Sequence, residues 1–184
     1  PSTPYAITQA TADFFTFAYT KFKGLNSITL RFANFYGPGQ QLFRIIPKTI
    51  LSILKFKKLN IHGDGSSLRS FIFSDDFCES ILLAIKKGKK NEVYNISPLR
   101  EISILNLVKL ICKIMKYDEK KLIVFSKDRI GKDLRYMMNS KKANRELGWR
   151  SKVTLENGLK KTIKWYINNF KKLDKLNSTY IHKK

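Results

Sequence analysis

The order in which two hydrophobic repeats follow one another constrains this chain most. From Tyr5 to Tyr19, apolar and small side chains recur at three and four: Ala6, Ala10, Phe14, Phe17 and Ala18. That is the period of a helix with one apolar face. Gly24 ends the segment, and Ser27–Phe32 (SITLRF) is β-branched and aromatic, as a buried strand is. Asn34–Gly39 (NFYGPG) follows as a turn cluster. Helix, strand, then loop is half of a doubly wound α/β sheet, in which ligands lie beyond the carboxyl ends of the strands. Asn34 falls there. The small residues Ala6, Ala10 and Ala12 would let the helix pack closely on such a sheet.

The alternation continues. Gln41–Phe56 predicts a second helix with Ile45, Ile46, Ile50, Leu51, Ile53 and Leu54 inward. Leu59–His62 reads as a short strand and Gly63-Asp64-Gly65 as a turn. Arg69–Phe73 is one more strand, running into Ser74-Asp75-Asp76, one of which can cap a helix over Phe77–Lys87. Val93–Ile96 and Leu122–Phe125 predict strands, with a helix between them capped by Ser103 and reaching about Lys116. Lys127–Leu134 reads as a loop. Ser140 can cap a helix ending at Leu147-Gly148, and Leu155–Phe170 is the last helix. From Lys171 the polar, basic tail is expected to fray.

At 184 residues and 43% hydrophobic, the chain can bury a proper core and is no disordered tail. It has no apolar run long enough to span a membrane and no leader pattern, so a cytoplasmic protein is expected. It opens PSTPYA, inside what looks like a motif, and reads as a piece of a longer protein. Cys78 and Cys112 both sit in apolar helical contexts, which predicts buried free thiols rather than a disulfide. The net charge of +22 is nearly all lysine, spread over solvated faces such as Lys86–Lys90, while the aromatic residues keep core spacing. That argues for biased composition and against a nucleic-acid-binding surface.

Five segments, in this order, resemble the extended short-chain dehydrogenase/reductase (NAD-dependent epimerase/dehydratase) family, in its C-terminal half. They are Tyr5-x-x-x-Gln9; Arg31-Phe32-Ala33-Asn34-Phe35-Tyr36-Gly37-Pro38; His62-Gly63-Asp64-Gly65 with Arg69-Ser70-Phe71-Ile72; Val93-Tyr94-Asn95-Ile96; and Arg145-Glu146-Leu147-Gly148-Trp149. The run Asp128-Arg129-Ile130-Gly131-Lys132-Asp133-Leu134-Arg135-Tyr136 is more selective. It is similar to the Asp-Arg-Pro-Gly-His-Asp-x-Arg-Tyr loop of nucleotide-sugar 4,6-dehydratases, above all the dTDP-glucose group, with Ile130 for Pro and Lys132 for His.

The resemblance implies the C-terminal part of a doubly wound Rossmann-type sheet plus a smaller α/β substrate-binding domain. Residues 1–40 would finish the dinucleotide-binding domain, 41–170 would form the substrate domain with interleaved Rossmann elements, and 171–184 the tail. It implies NAD as cofactor, a nucleotide-diphosphate sugar as substrate, and a homodimer for the full-length protein. An exposed stripe of Phe14, Phe15 and Phe17 would suit a partner helix. The family's Gly-rich dinucleotide fingerprint and its Thr-Asp-Glu acid and base have no counterpart in this sequence.

Tyr5 then matches the base that takes the sugar C4 hydroxyl proton. A tyrosine of pKa ~10 is about one part in a thousand ionised at pH 7, a deficit of roughly 4 kcal/mol. The family's lysine lowers that deficit; Gln9, one turn on, can donate to a cofactor ribose but brings no charge. Asn34 matches a substrate contact, Arg44 and Ile45 align where the sugar nucleotide is held, and Asn60, Ile61 and His62 match a segment lining the base. Arg69 and Arg129 are the diphosphate ligands, because a guanidinium fork fits paired oxygens. Asn95 and Asp128 complete the set. His62 has no second ligand at metal spacing, so no protein metal site is expected. A 4-epimerase or UDP-glucuronate decarboxylase, a non-catalytic sugar-nucleotide-binding remnant or split-gene subunit, and a polyanion binder are the competing readings.

Overall fold

The computed structural model describes residues 3–128 and 134–177. The first helix, α1 (Pro4–Lys23), starts on Thr3, whose Oγ1 accepts from the Ala6 amide at 3.1 Å. It does not pack closely on a sheet. Of its residues only Thr20 is buried, while Tyr5, Phe14, Phe15, Phe17, Tyr19 and Phe22 are exposed. Its ties to the body are an ion pair between Asp13 and Arg31 at 2.6 Å and a hydroxyl contact between Thr20 and Ser27.

The strand after it is β1 (Thr29–Phe32). The expected turn that follows is instead, in its first part, another strand, β2 (Asn34–Tyr36). Its stabilisation is non-local: it pairs in parallel with a distant segment and Tyr36 is buried, the phenol donating to Leu155 O at 3.1 Å. Helix α2 (Ile45–Leu54) is shorter than the pattern suggests, with Arg44 at its N-cap. β3 (Leu59–His62) stands as expected. The single strand expected over Arg69–Phe73 is two, β4 (Leu68–Arg69) and β5 (Phe71–Phe73), broken at Ser70 and serving different sheets.

Helix α3 (Ser74–Lys87) begins ahead of Asp75 and Asp76, so neither caps it. Asp76 is buried and does something else. Its Oδ2 accepts from Ser151 Oγ, Lys152 N and Val153 N, each at 3.0 Å, and its carbonyl accepts from Trp149 Nε1 at 2.9 Å. The remaining elements are β6 (Val93–Ile96), β7 (Ile102–Ser103), α4 (Ile104–Met115), α5 (Glu119–Leu122), β8 (Ile123–Ser126), β9 (Arg135–Tyr136), α6 (Lys141–Leu147), α7 (Leu155–Asn168) and α8 (Phe170–Leu173). Ser103 caps α4 as expected, accepting from Asn106 N at 3.1 Å. Ser140 stands at the start of α6 without capping it; its hydroxyl instead donates to Ser97 O at 2.7 Å and accepts from Ser97 N at 2.9 Å. The tail holds beyond Lys171: Leu173 is buried and Lys55 pairs with Asp174 at 2.6 Å.

Among the described residues, three parallel pairs and one mixed sheet form: β1 with β6, β2 with β5, β3 with β8, and β7-β4-β9. Two hydrophobic clusters hold them. One gathers Ile46, Ile50, Leu107, Ile111, Leu159 and Tyr166 of α2, α4 and α7 around β3 and Tyr36. The other sets Ile72, Tyr94 and Ile96 against Ala84 of α3 and Leu147 of α6, with Trp149 beside them. Helix α7 approaches β2 and β5 so closely that a Cβ at Gly158 would lie 2.1 Å from the Tyr36 hydroxyl oxygen, room that only glycine leaves. Of the two thiols expected to be buried, Cys112 is and Cys78 is exposed on α3.

Candidate functional site

Strand ends bring three of the expected residues into one neighbourhood. Asn34 opens β2 and donates through both its amide (3.2 Å) and its side-chain Nδ2 (3.4 Å) to the carbonyl of Ser70, the residue after Arg69. Arg69 lies in the middle strand of the mixed sheet, opposite Tyr136 on one side and Ile102 on the other. Just beyond Tyr136, Asn139 O accepts from Asn95 Nδ2 at 3.5 Å, and Asn95 in turn lies opposite Arg31 on β1. Asn34 is thus tied to the residue after Arg69, and Asn95 to the segment that follows Arg69's strand partner Tyr136. Two oxygens in this neighbourhood, Ser70 Oγ and Asn95 Oδ1, are buried with no hydrogen-bond partner among the described residues. A buried acceptor without a donor is costly, about 1–3 kcal/mol, and marks a place for a polar ligand or an ordered water.

A second group forms at the end of β3. The strand alternates, so Asn60 and His62 share the exposed face while Ile61 turns into the core. His62 Nδ1 lies 3.1 Å from Ser126 Oγ on the paired strand β8 and 3.4 Å from Lys127 O just after it. Gly63 turns the chain sharply at φ 64, and a Cβ there would meet the Asp128 carboxylate at 2.6 Å. Asp128 is therefore packed against the His62–Gly63 turn. Arg44 and Ile45 stand apart at the start of α2. Arg44 is exposed, donates to Gln41 Oε1 at 3.3 Å and lies over the Phe43 ring; Ile45 is half-buried against the larger core.

Tyr5 and Gln9 are exposed on one face of α1, and among the described residues the Tyr5 hydroxyl makes no hydrogen bond; its carbonyl accepts from Thr8. Arg129 lies outside the described residues, as does Lys132. The feature here that suits a dinucleotide is the open Tyr5–Gln9 face, where the Gln9 carboxamide is free to donate to a hydroxyl. No group of three or more His, Cys, Asp or Glu side chains that could hold a metal occurs among the described residues. Among the described residues, no helix is long and apolar enough to cross a membrane.

Sequence reasoning passed over Ser126, Ser70, Glu101 and Arg135. Ser126 and Ser70 become neighbours of site residues only through pairing between distant segments, which no local pattern reports. Arg135 stood in the most selective motif without an assigned role. It makes a forked ion pair with Glu101: Nε to Oε1 at 3.1 Å and to Oε2 at 3.0 Å, and Nη2 to Oε2 at 2.6 Å. The guanidinium holds the Glu101 carboxyl below its ordinary range, chiefly through those hydrogen bonds.

The family model described as GDP-mannose 4,6 dehydratase matches residues 1–162. The chain is 38% identical over 169 residues to a trifunctional UDP-glucose 4,6-dehydratase/UDP-4-keto-6-deoxy-D-glucose 3,5-epimerase/UDP-4-keto-L-rhamnose-reductase of Arabidopsis thaliana, covering 92% of this chain and 25% of that one. The crystal structure of a dTDP-glucose 4,6-dehydratase from Streptomyces venezuelae, solved with NAD bound, superposes with a TM-score of 0.88 at 33% identity, over 92% of this chain and 52% of that one. A UDP-glucose 4-epimerase from Thermotoga maritima, solved with UDP-glucose, gives 0.86 at 32% identity over 92% and 55%. The chain spans about half the length, or less, of these relatives.

Proposed function

Because the chain belongs to the GDP-mannose 4,6-dehydratase family of extended epimerase/dehydratases, we propose that it is the substrate-gripping half of an NAD-dependent nucleotide-sugar 4,6-dehydratase of the dTDP-glucose kind. The observation that carries this reading is the neighbourhood of Asn34, Arg69 and Asn95 around two unpaired buried oxygens. Arg69, with Arg129, grips the diphosphate; a guanidinium matches its paired oxygens better than an ammonium does. Asn95 and Asn34 orient the sugar and nucleotide through their carboxamides. Asn60 and His62 flank the base from the exposed face of β3, Ile61 supports them from the core side, Asp128 closes that turn, and Arg44 and Ile45 border the sugar nucleotide at α2. Tyr5 takes the C4 hydroxyl proton. Bound NAD would supply the hydride acceptor and donor for the sugar. Gln9 holds its ribose.

Residues 1–40 belong to the dinucleotide-binding domain and 41–170 to the substrate domain, with β6 returning to pair β1. The exposed Phe14, Phe15 and Phe17 of α1 support a homodimer of the full-length protein, in the cytoplasm. The acid and base of the elimination, and the phosphate-cradling loop for NAD, come from polypeptide outside this chain. A 4-epimerase is the second reading, favoured by the similarity to the Thermotoga enzyme. A non-catalytic binding subunit is the third, favoured by Gln9.

The test joins this chain to a dinucleotide-binding half and supplies NAD with dTDP-glucose or UDP-glucose. A 4-keto-6-deoxy sugar supports the dehydratase. Inversion at C4 moves the assignment to the epimerase, and binding without turnover to the third reading. Neither binding nor turnover refutes all three.

A further inference from the structure

The strand that carries Arg69 is two residues long. Its neighbours β7 and β9 are equally short, so the ladder alone supplies little to hold Arg69 in place. The side chains supply the rest. Alternation puts Leu68 on one face of this sheet and Arg69 on the other. Arg135 is in parallel register with Leu68, and Ser103 is its antiparallel partner. Glu101, two positions before Ser103, shares that face. Arg135 and Glu101 therefore meet across the middle strand, on the face opposite the Arg69 side chain. Adjacent strands lie about 4.8 Å apart, so the two outer strands are roughly 10 Å apart and the pair bridges that gap.

We propose that the Glu101–Arg135 pair is a clamp that straps β7 to β9 over β4 and so positions Arg69 for the diphosphate. Glu101 and Arg135 are assigned as positioning residues, acting on the diphosphate only through Arg69. The geometry is unusual for a surface ion pair. The Glu101 side chain is only 12% exposed, and three donor–acceptor contacts fix the fork in one orientation. Lysine at position 135 would keep the charge and lose the fork. Leu68 N donates to Leu134 O at 2.9 Å, so the amide of Leu68 reports whether β9 stays docked.

The inference rests on the reading of Arg69 as a diphosphate ligand, and two readouts separate the two claims. The chain, its Arg135→Lys and Glu101→Gln variants, and the charge-swapped Glu101→Arg/Arg135→Glu double variant are titrated calorimetrically with thymidine diphosphate and uridine diphosphate. Amide hydrogen exchange at Leu68 is followed in the same samples. Each single variant should weaken diphosphate binding about 5- to 10-fold, speed Leu68 exchange by a similar factor and leave the urea midpoint nearly unchanged. The swap should recover both within about 3-fold. If the unaltered chain binds neither diphosphate, the ligand reading falls and Leu68 exchange alone decides the clamp. Exchange and affinity unchanged in the single variants, no recovery in the swap, or a global loss of stability in Arg135→Lys each overturn the proposal.

Discussion

Replacing Asp76 by alanine should cost this fold more than any change at the neighbouring acid. One carboxylate oxygen accepts from Ser151 Oγ, Lys152 N and Val153 N, all at 3.0 Å, and the residue is 2% exposed. Alanine removes the acceptor and leaves two backbone amides without a partner; the Ser151 hydroxyl can rotate away. An orphaned buried amide costs about 1–3 kcal/mol, so Asp76→Ala should lose about 4 kcal/mol. At this chain length that is about 8–16 °C in Tm. Asp76→Asn keeps an oxygen but not the charge, and neutral hydrogen bonds are about half as strong, so about 2 kcal/mol should go. Asp75→Ala breaks an exposed pair with Lys161 at 3.5 Å and a long exposed contact from Ser74 Oγ, also 3.5 Å, and should stay within about 0.5 kcal/mol. Urea titration read by tryptophan fluorescence is the assay, since Trp149 donates to the Asp76 carbonyl and reports the same junction. A loss below 1 kcal/mol for Asp76→Ala, or an equal loss for Asp75→Ala, would refute this account of the junction.

Tyr36 and Tyr166 are both pushed well above the usual phenol range by burial, Tyr36 further by the Asp76 charge. A raised pKa keeps the neutral form in the folded state, so its contribution is complete below pH ~10 and is lost as pH rises above that. Stability should fall by up to about 1.4 kcal/mol per pH unit per phenol, and Tyr166→Phe should take about one such increment off the slope in alkaline urea titrations. Gly158→Ala should cost about 1–3 kcal/mol by driving a methyl group into Tyr36, measured as the urea midpoint. Burial pushes the Cys112 thiol up to about 11, with help from the Glu119 and Asp118 charges, while Cys78 is exposed. A thiol reagent at neutral pH should therefore label Cys78 in the folded chain and both cysteines in urea.

What was legible in the sequence is what local chemistry decides. The helices around Phe14, Leu107 and Leu159 follow their apolar periods, and Ser103 caps as a serine before such a run should. What was illegible depends on contacts between distant segments. Asn34–Tyr36 runs into the turn chemistry of Gly37-Pro38-Gly39, yet pairing with Phe71–Phe73 makes it a strand. Asp76 looks like a cap because it stands beside a helix start; three donors arriving from residues 151–153 assign it otherwise. The candidate site was named through motifs, and the period-2 rule could have told Ile61 apart from Asn60 and His62. The Glu101–Arg135 fork could not be read, because neither residue reveals its partner until β4 lies between them.

The most direct test of the account is the turnover of Tyr5→Phe in a polypeptide joining this chain to a dinucleotide-binding half. Loss of the phenolic oxygen should lower kcat at least about 100-fold while the affinity for nucleotide sugar changes less than about 2-fold. Turnover at the unaltered rate would contradict the assignment of Tyr5 as the base.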